Sequence, residues 1–375
     1  MSVMKENRIM EKELSLLYLT QQDTRAAGAG DMAGCVEAME DAMRLLATGD
    51  YIMGGPNRNS HGIKLYFDKE SEFPNKPVAG PDRRFMALVA YLGGEYNVCG
   101  TKWYGSNIKN TERGLPRSIH TITLNDPDTG GPLCIMVGGL ISASRTGAMA
   151  GVGAKYLIGS DSSVFTQIGV GVIGRACCEA ILTACPNIKE LRIVDLSEKA
   201  AVDAVSDFSS RFDIKAYVCR DTEEAIKGSD IINFANSGSV DPELKLEWLA
   251  PGSTVLTVAD FPLDPAVMRS MTIAVDNWEM FKSYVHEALA LPPEEKKDNG
   301  DLIDTLTDEV SKGGIREEDL VHLSRVVNDR ESFRRDEKPL LCIIEGMCIE
   351  DVAWGYRVYQ NAKARGLGVE LPLGI

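Results

Sequence analysis

Residues 164–174 read Val-Phe-Thr-Gln-Ile-Gly-Val-Gly-Val-Ile-Gly, an apolar run that leads straight into a Gly-x-Gly-x-x-Gly motif. The run predicts a buried strand, and the motif opens a segment that predicts a helix through Cys185. Glycines at these positions allow a tight turn and close approach of the backbone, while the free N–H groups of a helix N-terminus bind phosphate. A glycine-rich turn without a ligand is the alternative. The stretch predicts a dinucleotide site whose loop residues are Gly169, Gly171, Val172, Ile173 and Gly174.

An acidic residue follows the next apolar run along the chain. Residues 191–194 predict a strand, and Asp195 comes directly after it. A carboxylate at this position accepts hydrogen bonds from ribose hydroxyls and repels a 2′-phosphate. Residues 196–198, Leu-Ser-Glu, provide no arginine to receive that phosphate. The combination predicts that the cofactor is NAD(H) rather than NADP(H).

Short apolar runs alternate with helical stretches after residue 160. The runs are 164–168, 191–194, 214–218, 231–234, 254–258 and 272–275. Repeated strand–helix units imply a parallel sheet with helices on both faces. The predicted fold class is therefore α/β, with a Rossmann-type doubly wound sheet. Asn236 and Ser237, which follow one of these runs, complete the predicted cofactor-binding residues.

The first part of the chain has different patterns. Residues 27–48 carry apolar side chains at helical spacing, which predicts an amphipathic helix. The runs 84–92, 118–124 and 134–137 predict strands, and the turn-rich linker between the last two predicts a hairpin. Residues 65–84 contain three prolines and charges of both signs without periodicity, which predicts a surface loop or lid.

The end of the chain returns to a helical pattern. Residues 340–366 have apolar side chains at helical spacing, so we expect a helix that folds back onto the first domain. The predicted organisation is an α+β substrate-binding and dimerisation domain built from residues 1–150 and 335–375. Residues 151–334 form the NAD-binding Rossmann domain inserted between them.

Composition excludes several classes of protein. The 375 residues include 40 Lys and Arg against 55 Asp and Glu, a net charge of −15 that argues against nucleic acid as a partner. The apolar stretches are far shorter than the roughly 20 residues that cross a bilayer, so we expect no membrane partner. The N-terminal stretch lacks the apolar core of a signal peptide. The nine cysteines include no Cys-x-x-Cys pair, which favours buried thiols over disulfides or a metal site. These features predict a cytoplasmic protein.

Three charged residues stand where chemistry is expected. Lys102 ends an apolar run, where partial burial would let it act as a general base, although a solvated lysine is the alternative. Arg145 is interpreted as the start of a helix of small residues, a position that suggests an anionic partner, with an interdomain salt bridge as the alternative. Asp260 follows the run 254–258 and points into the usual ligand crevice, with helix capping as the alternative. None of the four histidines lies beside a Ser or Cys in a nucleophile-elbow context, which argues against a His-based triad or hydride relay.

Several motifs together resemble the ornithine cyclodeaminase and μ-crystallin family. The shared stretches are Gly100-Thr101-Lys102, Asn110-Thr111, Leu115, residues 124–132, residues 144–148, the glycine loop, Ala259-Asp260, Glu345-Gly346-Met347 and Ile349-Glu350-Asp351. The resemblance implies a homodimer whose first domain is built from both ends of the chain. It also implies an NAD(P)-dependent enzyme that acts on a small amino-acid or amine substrate.

The resemblance also implies roles for individual residues. Lys102 would assist proton transfer and imine chemistry, and Asp260 would bind or deprotonate the substrate amine. Arg145 would hold the amino-acid carboxylate, and Arg58 matches the family's early substrate arginine. Thr146 would donate a hydrogen bond to the cofactor phosphates.

One departure from the cyclodeaminase pattern concerns the substrate. Cyclodeaminases have a threonine fifteen residues after the lysine, whereas this chain has Arg117. A second arginine suits a second carboxylate or another anionic group. Arg117, Lys102-Trp103, Gly105-Ser106, residues 275–278 and the insertion 65–84 together are more similar to the branch that contains the dehydrogenase forming 2,3-diaminopropionate. The pattern also resembles proteins described as components of a bacterial tyramine-oxidising system.

The predicted reaction is hydride transfer between nicotinamide and the α-carbon of an amino acid or N-substituted amino acid, through an imine. Oxidation, reduction and redox-neutral cyclisation all remain open. The alternatives are a non-catalytic protein that binds NAD and a small ligand, and an accessory subunit of an amine-oxidising system.

Overall fold

The computed structural model describes residues 14–236, 240–289 and 301–375. Within these ranges the strands form two eight-stranded sheets. No helix in the described part of the chain is long and apolar enough to cross a membrane.

The strands of the first sheet are β1 (Ser15–Leu19), β2 (Tyr51–Met53), β3 (Ile63–Tyr66), β4 (Arg84–Leu92), β5 (Val98–Ser106), β6 (Ser118–Asn125), β7 (Pro132–Val137) and β16 (Val369–Pro372). The strands of the second sheet are β8 (Val164–Ile168), β9 (Glu190–Val194), β10 (Lys215–Val218), β11 (Ile231–Phe234), β12 (Thr254–Thr257), β13 (Thr272–Val275), β14 (Val321–His322) and β15 (Leu340–Ile343). The helices are α1 (Gln21–Ala26), α2 (Met32–Thr48), α3 (Gly139–Leu157), α4 (Val172–Ala184), α5 (Glu198–Arg211), α6 (Thr222–Ile226), α7 (Pro265–Arg269), α8 (Trp278–Leu289), α9 (Asp301–Ser311), α10 (Leu323–Asn328) and α11 (Cys348–Ala364).

The first sheet has the order β16-β1-β7-β6-β5-β4-β2, with β3 also paired to β4. Its pairs are antiparallel except for the parallel β1–β7 pair. The predicted hairpin is present as β6 and β7. Along β4, Met86, Leu88 and Ala90 are buried while Phe85 and Val89 are exposed. This alternation gives the sheet one face against the core and one face outward.

The second sheet has the order β10-β9-β8-β11-β12-β15-β13-β14, and all its pairs are parallel. The runs predicted from the alternating pattern therefore pair as a doubly wound sheet. In sequence this sheet lies between β7 and β16 of the first sheet, so it interrupts the other unit. Because parallel strands all point the same way, their carboxyl ends meet at a single edge.

Helices from both halves of the sequence cover the inner face of the first sheet. The amphipathic helix expected within residues 27–48 is α2, whose N-cap Asp31 accepts a hydrogen bond from the Gly34 N–H. Helix α11 packs against β4, β5 and β6. Helices α3 and α4 pack closely because Gly147 lies so near Ala176 that an added Cβ would come within 2.4 Å of its backbone.

One expectation about the end of the chain is wrong. Residues 340–343 were expected at the start of a helix in the first domain, but they form β15, which pairs with β12 and β13 of the second sheet. All four residues are buried, so their apolar run matches a central parallel strand as well as a helix. The chain therefore still contributes to the second sheet beyond residue 335, and α11 begins only at Cys348.

Candidate active site

The glycine loop joins β8 to α4. Gly169 has φ +84°, a left-handed conformation that favours glycine. A Cβ on Gly174 would lie 2.0 Å from the Gly169 carbonyl oxygen, so any larger residue would push the helix off the loop. Gly171 forms the N-cap of α4 and has open space where a Cβ would point. The loop can therefore receive a pyrophosphate against the helix N-terminus.

Asp195 links this loop to the end of β9. Its Oδ2 accepts a hydrogen bond from the Val170 N–H at 2.7 Å, and its Oδ1 accepts one from the Ser197 N–H at 2.8 Å. Each carboxylate oxygen has a second lone pair. The side chain can therefore hold the loop and still accept hydrogen bonds from ribose hydroxyls.

The other predicted cofactor residues have different environments. Val172 is exposed at the start of α4, and Ile173 packs partly against the core. The Thr146 hydroxyl donates to the Ser142 carbonyl within α3 at 2.8 Å, so donation to a phosphate requires a different rotamer. Asn236 Oδ1 is buried and has no hydrogen-bond partner among the described residues, so it can accept a hydrogen bond from a ligand. Ser237 lies outside the described residues.

Lys102 lies in the middle of β5 and is only 3% exposed. Its Nζ donates to Asp351 Oδ2 at 2.6 Å, a contact that joins β5 to α11. Burial lowers the pKa of Lys102, the charge of Arg145 lowers it further, and Asp351 opposes both effects. The solvated lysine that the sequence left open is not what the structure contains.

Arg145 completes a buried group of four charges. Its Nη1 lies 2.7 Å from Glu350 Oε2, and its Nε lies 3.2 Å from Asp351 Oδ1. Although burial disfavours its charge, Asp351 and Glu350 outweigh that effect and raise the pKa of Arg145. The predicted position at the helix start is wrong, since Arg145 lies in the second turn of α3. Neighbouring carboxylates, rather than the helix dipole, determine its environment.

Glu350 and Asp351 were recognised in the sequence only as part of a motif. Both are fully buried in the first turn of α11. Burial would raise the pKa of Asp351, but Arg145 and Lys102 bring it below the usual value. Burial raises the pKa of Glu350 to about 7, and its Oε1 has no hydrogen-bond partner in the described part of the chain. The sequence signal for these buried ion-pair partners was the presence of two adjacent carboxylates in an otherwise apolar helix start.

His120, on β6, also belongs to this site. Its ring stacks on Tyr104 with centroids 5.0 Å apart. Burial and the nearby Lys102 charge lower the pKa of His120 to about 4, so its imidazole is neutral near pH 7. The sequence argues against a His-based triad or hydride relay and gives no signal for a buried, neutral imidazole at this position.

Arg117 is already paired in this structure. Its Nε and the Arg84 guanidinium both contact the Asp82 carboxylate, which also accepts a hydrogen bond from Ser106. Asp82 comes from the loop between β3 and β4 that the sequence predicted as a surface loop or lid. An internal carboxylate therefore lies where a second substrate carboxylate was expected to bind.

Arg58 and Asp260 are not joined to the buried charges by any contact among the described residues. Arg58 is exposed on a turn with φ +60°. Asp260 accepts hydrogen bonds from the N–H groups of Asp301 and Leu302, at 2.9 and 3.0 Å, and thereby caps α9. Helix capping, the alternative that the sequence left open for Asp260, is the arrangement present here.

Comparisons with known proteins agree with this architecture. Residues 30–366 match the sequence model of a family described as ornithine cyclodeaminase/mu-crystallin. The chain is 26% identical over 362 residues to N-((2S)-2-amino-2-carboxyethyl)-L-glutamate dehydrogenase of Staphylococcus aureus, covering 96% of this chain and 98% of that one.

Two solved structures have the same fold. One is the Δ1-pyrroline-2-carboxylate reductase of Thermococcus litoralis in complex with NADH and L-proline, with TM-score 0.76 and 25% identity over 94% of this chain and 99% of that one. The other is an archaeal alanine dehydrogenase dimer with bound NAD, with TM-score 0.76 and 29% identity over 96% of this chain and 100% of that one. The predicted α/β fold class with a Rossmann-type unit is confirmed.

Proposed function

The chain belongs to the ornithine cyclodeaminase/mu-crystallin family, and from that premise we propose that it is an NAD-dependent enzyme acting on an amino acid or N-substituted amino acid. The reaction is hydride transfer at the α-carbon, with an imine as the oxidised product. The relatives support this substrate class, since the first is named for an N-substituted glutamate and the two solved structures for an imino-acid reductase and an alanine dehydrogenase.

The observation that carries the proposal is the buried group of Lys102, Arg145, Glu350 and Asp351. Moving charges from water into a protein interior is costly, and well-packed apolar residues usually stabilise a fold as well or better. Four buried charges beside a nucleotide-type sheet are therefore better explained by chemistry than by stability.

Each cation has capacity left for a ligand. Arg145 uses Nε and Nη1 for its carboxylate partners, so Nη2 is the donor left for a substrate carboxylate. Lys102 uses one hydrogen bond for Asp351, and its lowered pKa makes its ammonium a stronger proton donor than that of an ordinary lysine. We assign Arg145 to substrate binding and Lys102 to proton transfer.

The loop residues and Asp195 would hold the cofactor. The open space at Gly171, the helix N-terminus and the unpaired Asn236 oxygen fit a dinucleotide. When bound, NAD supplies the hydride acceptor or donor at its nicotinamide ring. Asp195 would accept hydrogen bonds from the ribose hydroxyls, and its charge would repel a 2′-phosphate. We therefore propose NAD(H) as the preferred form of the cofactor.

We further propose a homodimer formed through the outer face of the first sheet. Apolar side chains from five neighbouring strands are exposed there: Ile52, Ile63, Phe85, Val89, Trp103 and Ile119. Phe85 and Trp103 stack with ring centroids 5.5 Å apart, which makes part of this face flat. A continuous apolar patch of this kind is typical of an interface, and a related structure is a dimer.

We place the reaction in the cytoplasm. All nine cysteines are free thiols, and all except Cys99 are buried. Unpaired thiols in this number suit a reducing compartment, where disulfides are rare.

The direct test is incubation of the purified protein and NAD⁺ with a panel of amino acids, N-carboxyalkyl amino acids and aryl amines. We expect NADH absorbance together with an oxo acid or imine by mass spectrometry. A cyclised, ammonia-depleted product without net NADH would instead assign the protein to the cyclodeaminases. Lack of any product from protein that binds NADH would contradict the proposal.

A further inference from the structure

Glu345 is a carboxylate that none of the roles above uses. It follows β15 by two residues, at the edge of the second sheet where the carboxyl ends of the parallel strands meet. Asp260 stands at the same edge, because it follows β12, the neighbouring strand. Ligands of doubly wound sheets bind in the crevice outside this edge.

The carboxylates of Asp260 and Glu345 differ in how many of their oxygens already accept hydrogen bonds. Both oxygens of Asp260 accept N–H groups at the start of α9, where the helix dipole also stabilises its charge. Within the described residues, the Glu345 side chain has one hydrogen bond, which its Oε1 accepts from the Tyr284 hydroxyl at 2.9 Å. Its side chain is 30% exposed, so part of it is open to a ligand.

The backbone of Glu345 is held rigidly beside Arg145. The buried Asp276 carboxylate accepts the N–H groups of both Glu345 and Gly346 at 2.8 Å. Gly346 has φ +87°, and a Cβ there would lie 2.2 Å from Arg145 Nη1. The Glu345 side chain therefore emerges one residue away from the guanidinium proposed to hold the substrate carboxylate. In an α-amino acid the nitrogen lies close to that carboxylate.

The groups around Glu345 connect it to the rest of the site. His61 Nδ1 lies 4.0 Å from Oε1, and it is buried without a hydrogen-bond partner in the part of the chain described. Lys64 Nζ lies 5.3 Å from the centre of the Tyr284 ring. The pKa of His61 is lowered by burial first and then by Lys64, Lys102 and Arg145, which places these three charges near His61.

We propose that Glu345 is a further catalytic residue, which accepts a hydrogen bond from the substrate nitrogen and takes up its proton. This inference rests on the proposed function. During oxidation the substrate ammonium gives one proton to the Glu345 carboxylate, and the α-carbon gives a hydride to NAD⁺. The products are an iminium ion and NADH, and the proton passes from Glu345 to water. During reduction Glu345 returns the proton to the amine.

The titration of Glu345 suits this task. Burial raises its pKa to about 7, against the opposing effects of the Tyr284 hydrogen bond and the Lys64 charge. The carboxylates of Asp276 and Asp260 add to the increase. A group with a pKa near the working pH is an effective proton acceptor and donor.

The test compares the wild type with Glu345→Gln, using Glu318→Gln on the surface as a matched control. For the wild type we expect kcat/KM of amino-acid oxidation to rise with pH through a value near 7. In Glu345→Gln this rise of kcat/KM with pH, the acidic limb of the profile, should disappear. Its kcat should fall by about 100-fold or more, with unchanged NADH binding. Tyr284→Phe, as a change in a positioning residue, should move the limb and lower kcat more than it raises KM. Retention of both rate and limb in Glu345→Gln would overturn the inference.

Calorimetry separates this inference from the proposed function. L-Alanine, L-proline and L-glutamate are titrated into the NADH-loaded protein at pH 6.5, in two buffers of different ionisation enthalpy. We expect proton release on binding in the wild type and none in Glu345→Gln, because an ammonium favours the charged carboxylate. Proton release that depends on Glu345, without turnover of any substrate, would reject the proposed function and support the carboxylate as an amine site. Binding without that release, or no binding at all, would overturn the role of Glu345.

Discussion

Lys102 Nζ lies 2.6 Å from Asp351 Oδ2, although 249 residues separate the two in sequence. The contact joins the middle of β5 to the first turn of α11. Asp351 also pairs with Arg145, so one carboxylate holds both cations of the proposed site. Removal of this carboxylate would leave Lys102 without its carboxylate partner and Arg145 with Glu350 alone.

Replacement of Lys102 should abolish turnover while the fold persists. Lys102→Met keeps the length of the side chain and removes the charge and the proton. We expect kcat to fall by about 100-fold or more with unchanged NADH binding, as is typical for loss of an acid–base group. Lys109→Met, on the exposed surface, is the control. Full turnover by Lys102→Met would contradict the proposed role, and initial-rate kinetics with the true substrate makes the comparison.

Gly174 should be essential for cofactor binding because of its close approach to Gly169. Gly174→Ala adds a methyl group 2.0 Å from the carbonyl oxygen of Gly169, so the start of α4 must shift away from the loop. We expect the NADH dissociation constant, measured by fluorescence titration, to rise by at least tenfold. Gly139→Ala, which meets nothing within 4 Å, should leave it unchanged. Equal binding by both variants would mean that the loop does not hold the pyrophosphate.

Asp195 should select NADH over NADPH. Its carboxylate follows β9 and holds the glycine loop, where we propose that it accepts hydrogen bonds from the ribose hydroxyls and repels a 2′-phosphate. We expect the wild type to bind NADH more tightly, and Asp195→Ser to reduce or reverse the preference. Asp213→Ser, at an exposed site, serves as the control. Tighter NADPH binding by the wild type in fluorescence titration would refute the assignment.

His120 should make stability depend on pH below neutrality. Its pKa is about 4 in the folded protein and about 6.5 in an unfolded chain, so the unfolded state binds more protons between these values. The contribution of His120 to stability is therefore lost as pH falls from about 6.5 towards 4, by about 2 kcal/mol at pH 5. The raised pKa values of Glu345 and Glu350 act in the opposite direction. Urea unfolding of the wild type and of His120→Asn at pH 7.5 and 5 measures this contribution as the difference between the two proteins.

The loss attributed to His120 should be smaller in His120→Asn. His286→Asn is the control, since His286 is exposed on α8. The same pH-dependent loss in the wild type and both variants would show that other groups cause it.

The outer face of the first sheet should hold the dimer together. Trp103→Glu places a charge in the middle of the apolar patch, next to Phe85. Light scattering at micromolar concentration should then report a monomer, whereas we expect a dimer for the wild type. Val202→Glu, at an exposed apolar position on α5, should remain dimeric. A monomeric wild type would exclude the proposed interface.

Much of the fold could be predicted because its signals are local. The glycine loop, the parallel strands around it and the β6–β7 hairpin each depend on residues close together in sequence, whose spacing determines which faces are apolar. Residues 340–343 were assigned wrongly because four apolar residues fit a strand and a helix equally well. Pairing with β12 and β13 decides between them.

The candidate site divides in the same way. Lys102 and Arg145 could be selected from sequence by residue type and motif, and their roles stay predictions. Their partners could not, because pairing depends on how distant elements meet when the chain folds. For the same reason the occupation of Arg117 by Asp82 had no local signal.

By itself the sequence determined the α/β class, the nucleotide loop and the pair of cations, since periodicity and motif spacing act over a few residues. Only the tertiary structure decided which carboxylate serves which task. It paired Asp351 with Lys102 and Arg145, placed Asp260 at a helix end, and left part of the Glu345 side chain exposed at the edge of the second sheet. The physical reason is that a carboxylate's pKa and available lone pairs depend on burial and on neighbours that folding brings from elsewhere in the chain.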